Sequence, residues 1–104
     1  MWIFLPDSFL SIVAHRDLPD HLLVRARKKG DIERVFPEAK VEHTPRADYP
    51  YRAPIPRARV AEALAAQAQA IDYDNFKNQV GDDARHDAYF SCWSVMNRWG
   101  RSPS

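Results

Sequence analysis

The segments Phe9-Leu10-Ser11-Ile12-Val13-Ala14-His15 and His21-Leu22-Leu23-Val24-Arg25-Ala26-Arg27, joined by Arg16-Asp17-Leu18-Pro19-Asp20, decide the fold. The first is dense in strand formers. The second alternates, with Leu22, Val24 and Ala26 on one side and Leu23, Arg25 and Arg27 on the other. Side chains along a strand point to opposite faces with a period of two. Two such runs separated by a short polar connection with a proline read as a hairpin. The alternation of the second run predicts one buried face and one facing water, as in an antiparallel sheet.

Working outward, Lys28-Lys29-Gly30 ends the second strand, and Asp31 is a candidate N-cap for a short helix. That helix carries Ile32, Val35 and Phe36 on one face, because residues three and four apart are helical neighbours. Pro37 closes it. Residues 40–44 predict a short third strand, residues 45–50 a turn, and Tyr51-Arg52-Ala53-Pro54-Ile55 a fourth strand. Pro54 has no N–H for a ladder, so this strand is expected at an edge or with a bulge. The alanine-rich stretch from Arg57 to Ile71 favours helix intrinsically, with Pro56 in the first turn. Its apolar stripe is Val60, Leu64 and Ile71, with Ala61 and Ala68. A last helix is predicted from an Asp82 N-cap to about Trp99, with Gly100 in the left-handed position just beyond. It aligns Ala88, Cys92, Val95 and Trp99, with Tyr89, Trp93 and Met96 alongside.

The order β-β-α-β-β-α-α predicts an α+β fold of two layers, a small antiparallel sheet of about four strands with helices packed on one face. The expected organisation is a single domain over residues 1–100 and a frayed tail over 101–104. The proline distribution agrees: seven of 8 prolines lie at or before Pro56, in the strand-and-turn half.

The charge balance, 15 Lys and Arg against 14 Asp and Glu, excludes a polyelectrolyte and makes a nucleic-acid partner permitted rather than demanded. Residues 1–60 carry 11 basic and 8 acidic side chains, and residues 61–104 carry 4 and 6. Cys92 is the only cysteine, so no intrachain disulfide forms and a reducing cytoplasm is the expected compartment. The opening Met1-Trp2-Ile3-Phe4-Leu5 has no basic flank and is broken by Pro6-Asp7, unlike a secretory leader. No apolar run approaches a membrane span.

Three stretches together resemble a group of small bacterial proteins of about this length that have no assigned function. They are residues 24–37, Tyr73-Asp74-Asn75-Phe76-Lys77, and Ala84-Arg85-His86-Asp87-Ala88-Tyr89 with Cys92-Trp93-Ser94. The resemblance spans roughly Val24 to Met96. It implies a bacterial source and a compact stand-alone domain, and it transfers no catalytic role.

Several constellations could carry chemistry. Asp82 and Asp83 precede His86 by four and three residues, and Asp87 follows it. A carboxylate within reach of an imidazole can fix its tautomer for general-base work, so His86 with Asp82 or Asp83 is the candidate set of a small hydrolase or transferase. The competing reading, helix capping with a solvated His, accounts for the same residues and is favoured. Cys92 lies within an apolar stripe and reads as a buried structural thiol. The run Arg25, Arg27, Lys28 and Lys29 could bind nucleic acid, with Arg16, Arg34, Arg52, Arg57 and Arg59 extending it and Tyr49 and Tyr51 as stacking platforms. Asp31, Glu33 and Glu38 would neutralise much of that charge. The polar-aromatic loop Tyr73, Asn75, Phe76 and Lys77, with His86 and Asp87, is the preferred binding surface. Trp93 and Trp99 could extend this surface, since Trp is frequent at interface hot spots, but their helical spacing favours the core. No metal spacing or phosphate-cradling glycine loop is present, and no cofactor is expected. The reading is a non-enzymatic protein-binding or regulatory domain, monomer or homodimer, with an unidentified protein partner, nucleic acid as an alternative and no membrane.

Overall fold

A computed structural model describes residues 1–103. The chain divides into two compact units, Met1–Asp72 and Tyr73–Ser104. The first contains β1 (Trp2–Leu5), β2 (Ser8–Ala14), β3 (His21–Ala26), α1 (Asp31–Val35), β4 (Glu42–His43), β5 (Tyr51–Pro56) and α2 (Arg57–Gln69). The second contains a 3₁₀ turn (Lys77–Gln79) and α3 (Asp83–Arg101). The fold is α+β, with an antiparallel sheet in the order β1-β2-β3-β5-β4.

The sheet sorts its side chains by the period of two. Leu10, Ile12, Val24, Ala26, Ala53 and Ile55 point to one face and are buried. There they meet Ile32, Val35 and Phe36 around α1 and Val60 and Ala63 of α2 in one apolar cluster. Burying each such side chain contributes roughly 1.5–3 kcal/mol, which is why parity, and with it register, is strongly specified here. The opposite face carries Phe9, Ser11, Val13, Leu23, Arg25, Arg52 and Pro54.

The predicted hairpin forms with Ile12 opposite Val24. The sheet has five strands, not the four expected, because Trp2–Leu5 also forms a strand. Its register, Leu5 opposite Ser8, leaves Pro6-Asp7 as a two-residue turn. Pro54 lies opposite Leu23 on β3, while β4 pairs only with Tyr51 and Arg52, so the outer side of β5 is uncovered at Pro54. The edge expectation therefore holds locally, within a strand that is internal at its start.

Several boundaries differ from expectation for identifiable reasons. The N-cap of α1 is Gly30, at φ 94°, and Asp31 is the first helical residue. Among the described residues, positive φ occurs at Gly30 alone. The left-handed turn aims Asp31 inward, where its carboxylate accepts from Phe9 N–H at 3.0 Å and Arg34 Nη1 at 2.7 Å. Replacing Gly30 by Ala is expected to destabilise the fold by about 1–2 kcal/mol, since a Cβ is disfavoured in this region. The added Cβ would also stand 3.3 Å from Arg34 Nη2. Urea denaturation followed by circular dichroism checks this; an unchanged midpoint would contradict the strained geometry.

The predicted stripe on α2 is only partly buried. Val60 and Ala63 face the core and Leu64 packs beside them, but Ala61 and Ala68 are exposed and Ile71 lies beyond the helix end, 54% exposed. Helix α3 continues through Gly100 to Arg101, so Gly100 is not the left-handed cap. Ser102 ends the helix instead, its Oγ donating to the Trp99 carbonyl at 2.6 Å. Within the expected tail, Ser104 lies outside the described residues.

Candidate functional site

The second unit is built around α3. Asp82 caps it as expected, with Oδ2 accepting from Arg85 N–H at 2.8 Å. Asp83 sits in the first turn, where the helix dipole favours an anion. Asn75 Oδ1 accepts from Asn78 N–H at 3.3 Å and starts the 3₁₀ turn. The preceding loop folds onto α3 by aromatic contact: Tyr73 lies 6.1 Å from Phe76, and Phe76 stacks on buried Tyr89 at 5.8 Å. Lys77 Nζ lies over the Trp93 ring at 4.2 Å and the Phe90 ring at 5.1 Å, while these two rings stack at 5.7 Å. Tyr73, Phe76, Lys77, Tyr89, Phe90 and Trp93 therefore form one assembly, and Asn75 shapes its loop.

The charged candidates lie at the start of α3. The Asp82 carboxylate is engaged by backbone at the helix start. His86 Nδ1 lies 3.9 Å from Asp87 Oδ1, and the Asp87 side chain is 88% exposed. Among the described residues no cluster of three His, Cys, Asp or Glu could hold a metal ion. No helix of the described chain is long and apolar enough to cross a membrane.

Three expectations for α3 are overturned. Cys92 is exposed, not a buried thiol. Trp93 is 49% and Trp99 71% exposed, so neither is a core residue. Phe90, Val95 and Met96 are also 46%, 53% and 57% exposed. Helical spacing reveals that apolar residues share a face, but not whether anything covers it.

The sheet face opposite the apolar cluster of the first unit holds a second constellation. Register places Ser11, Arg25, Arg52 and Glu42 in a row across β2, β3, β5 and β4. Arg25 Nη2 donates to Ser11 Oγ at 2.7 Å, and its guanidinium lies 4.5 Å from the centroid of the buried Tyr49 ring. Arg27 covers the same ring at 4.2 Å and donates from Nη1 to Asp48 Oδ1 at 2.7 Å and Asp48 O at 2.9 Å. This hydrogen bond lowers the Asp48 carboxyl pKa and raises that of Arg27. Beside the row is a cavity of about 520 Å³, lined by Val13, Ala14, His15, Arg16, Asp17, Leu23, Arg25, Glu42, Arg52 and Pro54.

The basic run is thus dispersed among different surroundings. Arg25 lines the cavity, Arg27 pairs with Asp48, and Lys28 and Lys29 are exposed in the turn beyond β3. Arg34 pairs with Asp31, and Arg59 with Glu38 and Glu62. Tyr49 is buried beneath two guanidinium groups, and Tyr51 stacks on His43 at 4.7 Å, so neither offers the open ring expected of a base-stacking platform.

In comparisons with known proteins, no family model matches the chain, and neither the curated proteins nor the solved structures provide a match.

Proposed function

We propose that the protein is a non-enzymatic protein-binding domain whose docking element is α3, and that the occupant of this surface is a second copy of the chain. The carrying observation is an exposed apolar stripe on a 19-residue helix, where Trp93, Met96 and Trp99, spaced three apart, are each roughly half exposed or more and Phe90 stacks on Trp93. Together they offer several hundred Å² of apolar surface, at the upper end of what a monomer leaves bare. Trp and Tyr dominate interface hot spots because they combine large contact area with few rotatable bonds.

Charge complementarity argues for self-association. The acidic residues Asp82, Asp83 and Asp87 lie at the start of α3, and Arg98 and Arg101 at its end. In an antiparallel pair of such helices the end of each that carries Asp83 and Asp87 lies beside the end of the other that carries Arg98 and Arg101, along the margin of the contact nearest Phe90. A two-fold interface requires such self-complementarity. Lys77 already holds Phe90 and Trp93 in place, which lowers the entropy lost on docking.

Analytical ultracentrifugation across a concentration series is expected to show a monomer–dimer equilibrium. The double substitution Met96→Glu, Trp99→Glu should return the protein to monomer with helix content unchanged. Reversal at Arg98→Glu, Arg101→Glu should weaken the dimer, and mixing that variant with Asp83→Lys, Asp87→Lys should restore a heterodimer. A wild-type monomer at about 1 mM, where even an association of about −4 kcal/mol would show, would sink the proposal.

A further inference from the structure

The sheet face opposite the apolar cluster brings two arginines together. Arg25 and Arg52 occupy directly opposite positions on β3 and β5. Like charges directly opposite in a sheet are destabilising. Among the described residues, neither arginine forms an ion pair within 4.0 Å, although Glu42 is in register with Arg52. The Nε atoms of both are buried and without a hydrogen-bond acceptor. Buried donors left unmatched cost free energy, more so when charged.

We propose that this pair is a binding site for a small oxyanion, a phosphate group carried on a compact apolar body. Guanidinium forks suit the planar or tetrahedral oxygens of such a group and bind them by charge-assisted hydrogen bonds. The cavity of about 520 Å³ is of a size that holds a small molecule. Val13, Leu23 and Pro54 line it and supply apolar contact for the body of the ligand.

The site is preorganised. Arg25 is held by Ser11 Oγ and the face of Tyr49, so little side-chain freedom remains to be lost on binding. His15, also in the lining, accepts at Nδ1 from Asp17 N–H and Leu18 N–H, both at 3.1 Å. With Nδ1 used as an acceptor, the neutral ring carries its proton on Nε2, which makes His15 a hydrogen-bond donor. Asp17 and Glu42 bring negative charge to the same cavity and restrict it to ligands of low total charge, against the long phosphate backbone of a nucleic acid.

The test is NMR titration of the full chain with inorganic phosphate, phenyl phosphate and phenol. Saturable shifts at Arg25 and Arg52 are expected with both phosphates, with phenyl phosphate binding more tightly and phenol not at all. Arg52→Gln and Arg25→Gln should each weaken phenyl phosphate at least about tenfold, the loss of one charge-assisted pair. Arg52→Lys should lie between, while Lys28→Gln, Lys29→Gln should leave the affinity unchanged. Arg52→Gln should also raise the melting temperature of the ligand-free protein, since it removes the opposed charge; a retained or raised melting temperature shows that lost binding is not lost folding. The proposal is overturned if neither phosphate saturates, if phenol binds as well as phenyl phosphate, or if Arg52→Gln binds like wild type. Binding of single-stranded DNA with no response to either phosphate would overturn it in favour of a nucleic-acid interface.

Discussion

Phe36→Ala is expected to destabilise the first unit by about 3–5 kcal/mol, the usual range for truncating a fully buried aromatic. Phe36 has no exposed surface and sits just past α1, in the cluster that also holds Val60 and Ala63 of α2 and Val24 and Ala53 of the sheet. It is therefore a common contact for both helices and the central strands. Its backbone is fixed as well, with N–H donating to Ile32 O at 2.8 Å and the carbonyl accepting from Ala39 N–H at 3.0 Å. The backbone is thus restrained from moving in to fill the void. The Arg59 guanidinium, 5.2 Å from the ring centroid, would lose that face but keep its bond to Glu38 at 2.9 Å. Domains of this size hold only about 5–15 kcal/mol of stability, so the loss is a large fraction of the total. Thermal denaturation should show a fall of about 15 °C or more. Phe36→Leu should lose much less; equal losses for both would mean that ring volume is not what matters at this position.

The second large effect is expected at Asp31→Ala, about 2–3 kcal/mol, from the loss of charge-assisted hydrogen bonds and the exposure of an unmatched donor. Asp31 is 1% exposed and ties α1 to β2 through Phe9 N–H. The ion pair with Arg34 contributes less, because the Arg34 side chain is 47% exposed and regains water when the carboxylate is removed. Arg34→Ala alone should therefore lose under about 1 kcal/mol. A double-mutant cycle by urea denaturation separates the two contributions. A coupling between Asp31 and Arg34 as large as the whole Asp31→Ala loss would show that the ion pair, not the bond to β2, holds the helix.

These two residues also mark how far the sequence could be read. The hairpin was legible because alternation at Leu22, Val24 and Ala26 reports burial directly. Phe36 was legible by its spacing from Ile32. Asp31 was read as a cap because Asp at a helix start usually is one, whereas its inward aim depends on the φ of Gly30, a single backbone angle that no periodicity encodes. β1 escaped notice because Trp2-Ile3-Phe4-Leu5 does not alternate; the available signal was the Pro6-Asp7 pair between two strand-forming runs.

The same division runs through the candidate site residues. The clustering of Tyr73, Asn75, Phe76 and Lys77 could be read locally, since neighbours in sequence are neighbours in space. The exposure of Trp93 and Trp99 could not, because an apolar helix face reads the same with or without a cover. Arg25 and Arg27 could be assigned to one face by parity. Their separation into a cavity-lining side chain and a partner of Asp48 came from the path of residues 44–50, and the apposition of Arg25 with Arg52 came from strand register.

The two prolines late in β5 have a consequence for the protein at high concentration. Arg57 N–H donates to Asp20 O at 2.8 Å, on the β3 side of the strand. By the period of two, Pro54 and Pro56 fall on the other side, along the margin that the two-residue β4 leaves bare. A neighbouring molecule approaching that margin meets no amide hydrogens at these positions and cannot extend the ladder. That margin of the sheet thus carries its own guard against ladder extension, using residues with no N–H to offer.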